Sequence, residues 1–248
     1  MLLSDTRDGI ATLTLDRADR GNALSAALVE ALIEAVARAV DDRSVHTLAL
    51  TAAGAHFCTG FDLSGLDACS DGDLLLRIVR IEALLASLWH APVRTVAIAQ
   101  GRTWGAGADL FAACDLRLAA PGATFRFPGA GFGLVLGTRR LSERVGADLA
   151  RRWVIEAEQI DAATAVDAGL ASKLLHLPSA ASAAGPTWRD CLAAPPVDRD
   201  TARQIRRATR VDRRDEDLAA LVRSAAAPGL KARISAYRDA ARRAAAAG

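Results

Sequence analysis

The sequence predicts an α/β fold, and three observations carry that reading. Short β-branched or apolar runs at 10–15, 46–51 and 93–99 alternate with stretches of helical periodicity. Two of those runs pass directly into a glycine-bearing turn and then a helix. Aromatic residues make up 4% of the chain and alanine supplies nearly half of the 51% hydrophobic fraction, so the core is to be packed from Leu, Val, Ile and Ala.

The elements follow in order. Residues 10–15 alternate Thr with apolar side chains, as a strand does, and 16–22 form a polar turn carrying Arg17, Arg20 and Gly21. Ser25 is placed to cap a helix whose apolar face is Leu28, Ala31, Leu32, Ala35, Val36 and Ala39. The run 46–51 reads as a buried strand, followed by a loop over 52–60 and a helix over 73–89 that ends before Pro92. A third strand is expected over 93–99, a glycine-rich turn over 101–107, an apolar segment over 108–114, and short strands at 116–118 and 124–127. From Leu136 onward the pattern turns to helices and loops, with a linker over 177–187 and an Ala/Arg-rich helical tail broken at Pro228-Gly229. The expected organisation is a core over 1–185 and a helical region over 186–248.

Several function classes are excluded at this stage. A net charge of +2 with 24% charged residues lacks the basic face of a nucleic-acid binder. The 29 arginines among 31 basic residues are read as codon usage in a GC-rich genome. No signal-peptide layout and no long uncharged apolar stretch occurs, so the expectation is a cytoplasmic protein with no membrane partner. Cys58, Cys69, Cys114 and Cys191 show no C-x-x-C spacing, and His46, His56, His90 and His176 are scattered. Neither a disulfide framework nor a metal site is expected.

The chemistry concentrates at two strand–loop–helix junctions, Phe57-Cys-Thr-Gly60-Phe61-Asp62-Leu63 and Gln100-Gly101-Arg-Thr-Trp-Gly105-Ala106-Gly107-Ala-Asp109-Leu110. Backbone N–H groups at a helix N-terminus have no intrahelical partner. Two such junctions side by side can aim two donors at one oxygen, as an oxyanion hole does. The second junction imitates a dinucleotide fingerprint, but Leu110 stands where the third glycine belongs and no acid follows at the ribose-binding distance. A G-x-S-x-G nucleophile elbow and a Walker lysine are both absent.

Together these segments resemble the crotonase superfamily, the enoyl-CoA hydratase/isomerase family. Leu15-Asp-Arg-Ala-Asp-Arg-Gly-Asn22-Ala23-Leu24 is similar to the family's L-x-R-P-x-x-x-N-A-L, and 57–63 to F-x-x-G-x-D-L. Residues 100–115 are similar to N-G-x-x-x-G-G-G-x-E-L-x-x-x-C-D, and 160–170 to I-x-A-x-x-A-x-x-x-G-L. The resemblance covers about residues 9–175. It implies a spiral of ββα turns with C-terminal helices used in a homotrimer or dimer of trimers. It also implies a coenzyme A thioester as ligand, with no separate cofactor. Carried over by position, the oxyanion donors are the N–H groups of Phe61 and Ala106. Ala23, Asp62, Leu63 and Ser64 line the acyl-CoA site, and Arg20 faces the CoA phosphates.

The sequence departs from the family at its acids. Hydration beside a thioester must take a proton from water and give one to the α-carbon, and the family's hydratases use two glutamates for this. Here the first position is Asp109, one methylene shorter, and the second is Gly129. Losing a general acid or base costs about 10²–10⁴-fold. Of the remaining acids, Glu82 is read as a salt-bridged helix residue and Asp115 as structural. His90 is read as satisfying a helix end, and Trp104 as acyl-pocket wall or core. Two functions remain: a hydratase/isomerase-type enzyme retaining Asp109 as its acid/base, or a catalytically degenerate acyl-CoA binding protein.

Overall fold

The computed structural model describes residues 1–175, 188–192 and 194–246. His176, the linker expected over 177–187 and the boundary expected at 185/186 lie outside the described residues.

The chain opens with β1 (Leu2–Arg7) and β2 (Ile10–Leu15), followed by α1 (Ala26–Asp41), β3 (Thr47–Ala52), α2 (Asp71–Trp89), β4 (Arg94–Ala99), β5 (Arg102–Trp104) and α3 (Ala106–Ala113). Then come β6 (Leu116–Ala119), β7 (Thr124–Arg126), α4 (Thr138–Val145), α5 (Ala147–Ile155), β8 (Ile160–Asp161), α6 (Ala162–Asp167) and β9 (Lys173–Leu174). The last helices are α7 (Arg199–Thr209), α8 (Arg214–Ala225) and α9 (Leu230–Ala246). The larger sheet has the order β1-β2-β3-β4-β6-β9, parallel throughout except for the antiparallel β1–β2 hairpin. A small second sheet, β5-β7-β8, stands beside it.

Strand alternation divides the core. Leu48 and Leu50 of β3 and Ala97 and Ala99 of β4 face α1, α2 and α3, in a cluster with Leu28, Leu85 and Phe111. Ala49, Val96 and Ile98 point to the opposite face, where they cluster with Leu118 of β6, Leu175 and Leu192. Ser25 accepts a hydrogen bond from the Leu28 N–H at 3.2 Å and starts α1 as expected. Val29 is buried on that helix, whereas Ala31 is only half-buried.

Three differences from the sequence reading have local causes. α2 begins at Asp71 rather than 73 because Ser70 and Asp73 form a reciprocal capping box. β1 carries no apolar alternation because it is an edge strand with nearly all its residues exposed. The turn expected over 101–107 contains β5, which is too short to show a period.

α8 and α9 fold back against α2 of the same chain. Leu66, Leu74, Ile78, Leu134, Leu221 and Ile234 form the second apolar cluster between them. Among the described residues, no helix is long and apolar enough to cross a membrane.

Candidate active site

The first junction is held from below by Asn22. This residue is fully buried and adopts φ 56°. Its side-chain amide donates to the carbonyls of Ala53 (2.9 Å) and His56 (2.8 Å), and its side-chain oxygen accepts from the Arg17 N–H at 2.8 Å. The turn 17–24 is thereby stitched to the loop 53–60. Leu24 then makes a parallel bridge with Phe61: its N–H donates to the Gly60 carbonyl (2.8 Å), and its carbonyl accepts from the Asp62 N–H (3.2 Å). Both bonds use the neighbours of Phe61, so the N–H of Phe61 itself turns to the other side.

The second junction turns on Gly105, whose φ of 54° and ψ of −130° suit glycine alone. The Gly105 carbonyl accepts from the N–H groups of Ala108 (2.8 Å) and Asp109 (3.0 Å), which starts α3. Ala106 is the first residue of that helix, so its N–H has no intrahelical acceptor and sits at the positive end of the helix dipole.

The two junctions touch. A Cβ at Gly60 would stand 2.9 Å from the Trp104 carbonyl oxygen and 3.5 Å from the Ala106 nitrogen. A Cβ at Gly107 would stand 2.3 Å from the Cys58 carbonyl oxygen. Only glycines permit this approach, and it brings the backbones at Phe61 and Ala106 to one place. Burial pushes the Cys58 thiol up to about 12, so this cysteine is protonated and no nucleophile.

Both backbones open onto an apolar cleft of about 130 Å³, walled by Leu63, Ile78, Trp104, Phe127, Leu134 and Tyr237. Asp109, one turn into α3, reaches the same cleft and is only 6% exposed. Burial pushes its carboxyl well above the usual carboxylate range; Glu82 adds to the rise and Arg140 opposes it. No hydrogen-bond partner for this carboxyl exists among the described residues. Gly137, with φ 66°, makes room for it: a Cβ there would lie 2.2 Å from Asp109 Oδ1. Behind Asp109, Arg140 donates to Glu82 at 2.5 and 3.0 Å and lies 3.3 Å from Asp217.

The sequence profile of the enoyl-CoA hydratase/isomerase family matches residues 5–217. The chain belongs to that family. A solved structure from Bordetella parapertussis, described as an enoyl-CoA hydratase/isomerase, superposes with a TM-score of 0.88 at 45% identity, over 95% of this chain and 97% of that one. A Mycobacterium tuberculosis protein named as a probable enoyl-CoA hydratase is 37% identical over 170 residues, 67% of this chain and 68% of the relative. The ethylmalonyl-CoA decarboxylase of Gallus gallus is 32% identical over 177 residues, 70% of this chain and 59% of the relative.

Within the enoyl-CoA hydratase/isomerase framework, the residues singled out from the sequence separate into two groups. Phe61, Leu63, Ala106, Asp109 and Trp104 line the cleft. Ala23, Asp62, Ser64 and Arg20 do not. Asp62 faces Arg17 at 3.0 Å and accepts from the Ser64 N–H at 2.8 Å. Burial works against its charge, but Ser64 and Arg17 outweigh burial and hold its carboxyl below the usual range. Arg20 is exposed, 3.5 Å from Asp19. Gly129 lines the cleft with no carboxylate beside it on the 128–132 turn.

Glu82 is buried against Arg140, and Asp115 accepts from the Thr95 N–H at 2.9 Å and pairs with Arg206 and Arg210. His90 caps the end of α2. Among the described residues, no cluster of His, Cys, Asp or Glu could hold a metal.

Sequence reasoning missed Arg17, Arg140 and Tyr237. The family's arginine position before the N-A-L segment signals the first, whereas the other two matter through partners far away in sequence.

Proposed function

We propose that this chain binds an acyl-CoA thioester with its carbonyl oxygen between the N–H groups of Phe61 and Ala106, and that these donors stabilise the enolate formed there. The observation that carries the reading is the convergence of two backbone donors, each without a backbone acceptor among the described residues, on an apolar cleft that also holds a buried carboxyl. Donors fixed in a dry site need no reorganisation as charge grows on the oxygen, and removing one such donor costs about 10²–10³-fold in rate. Asp109 exchanges a proton with the carbon next to the carbonyl. Burial raises its pKa, which makes its carboxylate a stronger base than an exposed one.

Asp109 is the one carboxyl among the described cleft-lining residues. The geometry therefore favours reactions that need a single proton-transfer group, such as a double-bond shift or protonation of an enolate, over addition of water. Gly129 supports a second reading, acyl-CoA binding without turnover. Mixing the protein with short, medium and long 2-enoyl-CoA and following the conjugated thioester absorbance separates the two. Turnover or α-proton exchange into deuterated water that disappears in Asp109→Asn supports the enzyme. Tight binding with neither signal at any chain length refutes it.

A further inference from the structure

We propose that the cleft accepts only short acyl groups, of about four carbons, and that Tyr237 sets this limit; the proposal rests on the acyl-CoA reading above. Four observations carry it.

The first is size. The cleft offers about 130 Å³, including the space beside Phe61 and Ala106 where a thioester would sit. A cavity of ~150 Å³ takes up one benzene ring. Once the carbonyl carbon and sulfur are placed, room remains for a short chain only.

The second is the wall. Tyr237 lies against the Phe132 ring at 5.1 Å between centroids, and a Cβ at Gly131 would be 3.4 Å from its ring. With Leu134 and Ile78 it walls the cleft.

The third is that this wall is fixed. Arg233, one turn before Tyr237, donates to the Phe132 carbonyl at 2.8 Å and to the Ala225 and Ala227 carbonyls. The Asp71 carboxylate accepts from the Leu230 and Lys231 N–H groups and caps α9. Ile234 is fully buried in the cluster with Leu66 and Leu74. An acyl chain cannot lift α9 without breaking these ties.

The fourth is the glycine at 129. A Cβ there would meet nothing closer than Leu134 at 3.9 Å, so a larger side chain at 129 would take up space inside the cleft.

Isothermal titration with free CoA, acetyl-CoA, butyryl-CoA and octanoyl-CoA tests this, because saturated thioesters give no turnover to confuse the heats. Each methylene that fits strengthens binding about fourfold, so butyryl-CoA binds about 16-fold tighter than acetyl-CoA, and octanoyl-CoA binds no tighter than butyryl-CoA. Tyr237→Phe keeps that order. Tyr237→Ala opens the wall and makes octanoyl-CoA the tightest ligand. Gly129→Val fills the cleft and brings butyryl-CoA down to the acetyl-CoA level, and it tests the size limit even if Tyr237→Ala loosens α9.

Octanoyl-CoA binding tightest to the wild type overturns the inference and leaves the acyl-CoA reading intact. An unchanged order in a folded Tyr237→Ala variant removes Tyr237 from the role. If no acyl-CoA binds more tightly than free CoA, the acyl group is not in this cleft, and both readings fall.

Discussion

Arg140 and Glu82 meet 2.5 Å apart with side chains 1% and 3% exposed, directly behind the carboxyl of Asp109. Neither charge reaches water, and Arg140 is the cation that Glu82 pairs with. Arg140→Met strands Glu82 and should cost about 3–5 kcal/mol, read as a lower urea midpoint. Pairing it with Glu82→Leu should recover most of the loss, because a buried ion pair is replaceable by apolar packing. Equal losses in the single and double variants would contradict this account.

The raised pKa of Asp109 makes stability fall with pH. In the unfolded chain this carboxyl loses its proton near the ordinary aspartate value of 3.8, whereas the folded chain holds it to higher pH because burial disfavours the charge. Unfolding therefore releases a proton, and stability declines from about pH 4 up to the raised folded value. Asp109→Asn should melt with the wild type near pH 3 and progressively above it towards pH 7. The same variant should lose α-proton exchange.

Gly107→Ala should damage fold and site together. Its methyl would stand 2.3 Å from the Cys58 carbonyl oxygen, so α3 must move away from the first junction. The expected cost is about 1–3 kcal/mol, with loss of acyl-CoA affinity. Gly129→Ala, whose methyl meets only Leu134 at 3.9 Å, should melt like the wild type.

Arg17 and Arg20 sit three residues apart and should behave differently. Arg17→Gln removes charge-assisted bonds to Asp62 and the Ala23 carbonyl. It should lower stability by about 1–3 kcal/mol. Arg20→Gln, with a side chain 63% exposed, should leave the melting temperature unchanged. Its effect should show only in CoA affinity, as a weaker dependence on salt; an Arg20→Gln protein that binds CoA like the wild type removes Arg20 from the phosphate role.

The junctions were legible in the sequence because their geometry is written locally. Gly60, Gly105 and Gly107 are needed where backbones approach or turn, and the strands leading into them are short and apolar. α1 was legible down to its Ser25 cap. β1 was not, because an exposed edge strand has no burial pattern. Arg140 and Tyr237 were invisible for another reason: Arg140 faces Glu82 across 58 positions, and α9 reaches the 128–132 turn across 101. Side chains with such distant partners carry no periodicity that marks them. The same holds for Asp62, which the motif placed at the ligand and the structure turns towards Arg17.

Because the last wall of the cleft is drawn from α9, the order of synthesis bears on it. The ribosome makes Phe132 and Leu134 long before Arg233, and at about 5–20 residues per second the interval is roughly 5–20 s. During that time both junctions can close, while Ile78 and Leu134 face solvent as an uncovered apolar patch. The nascent protein can therefore pass through a stage with both junctions formed and the apolar face of the cleft uncovered. Apolar surface exposed in that way favours association with other chains until α9 docks.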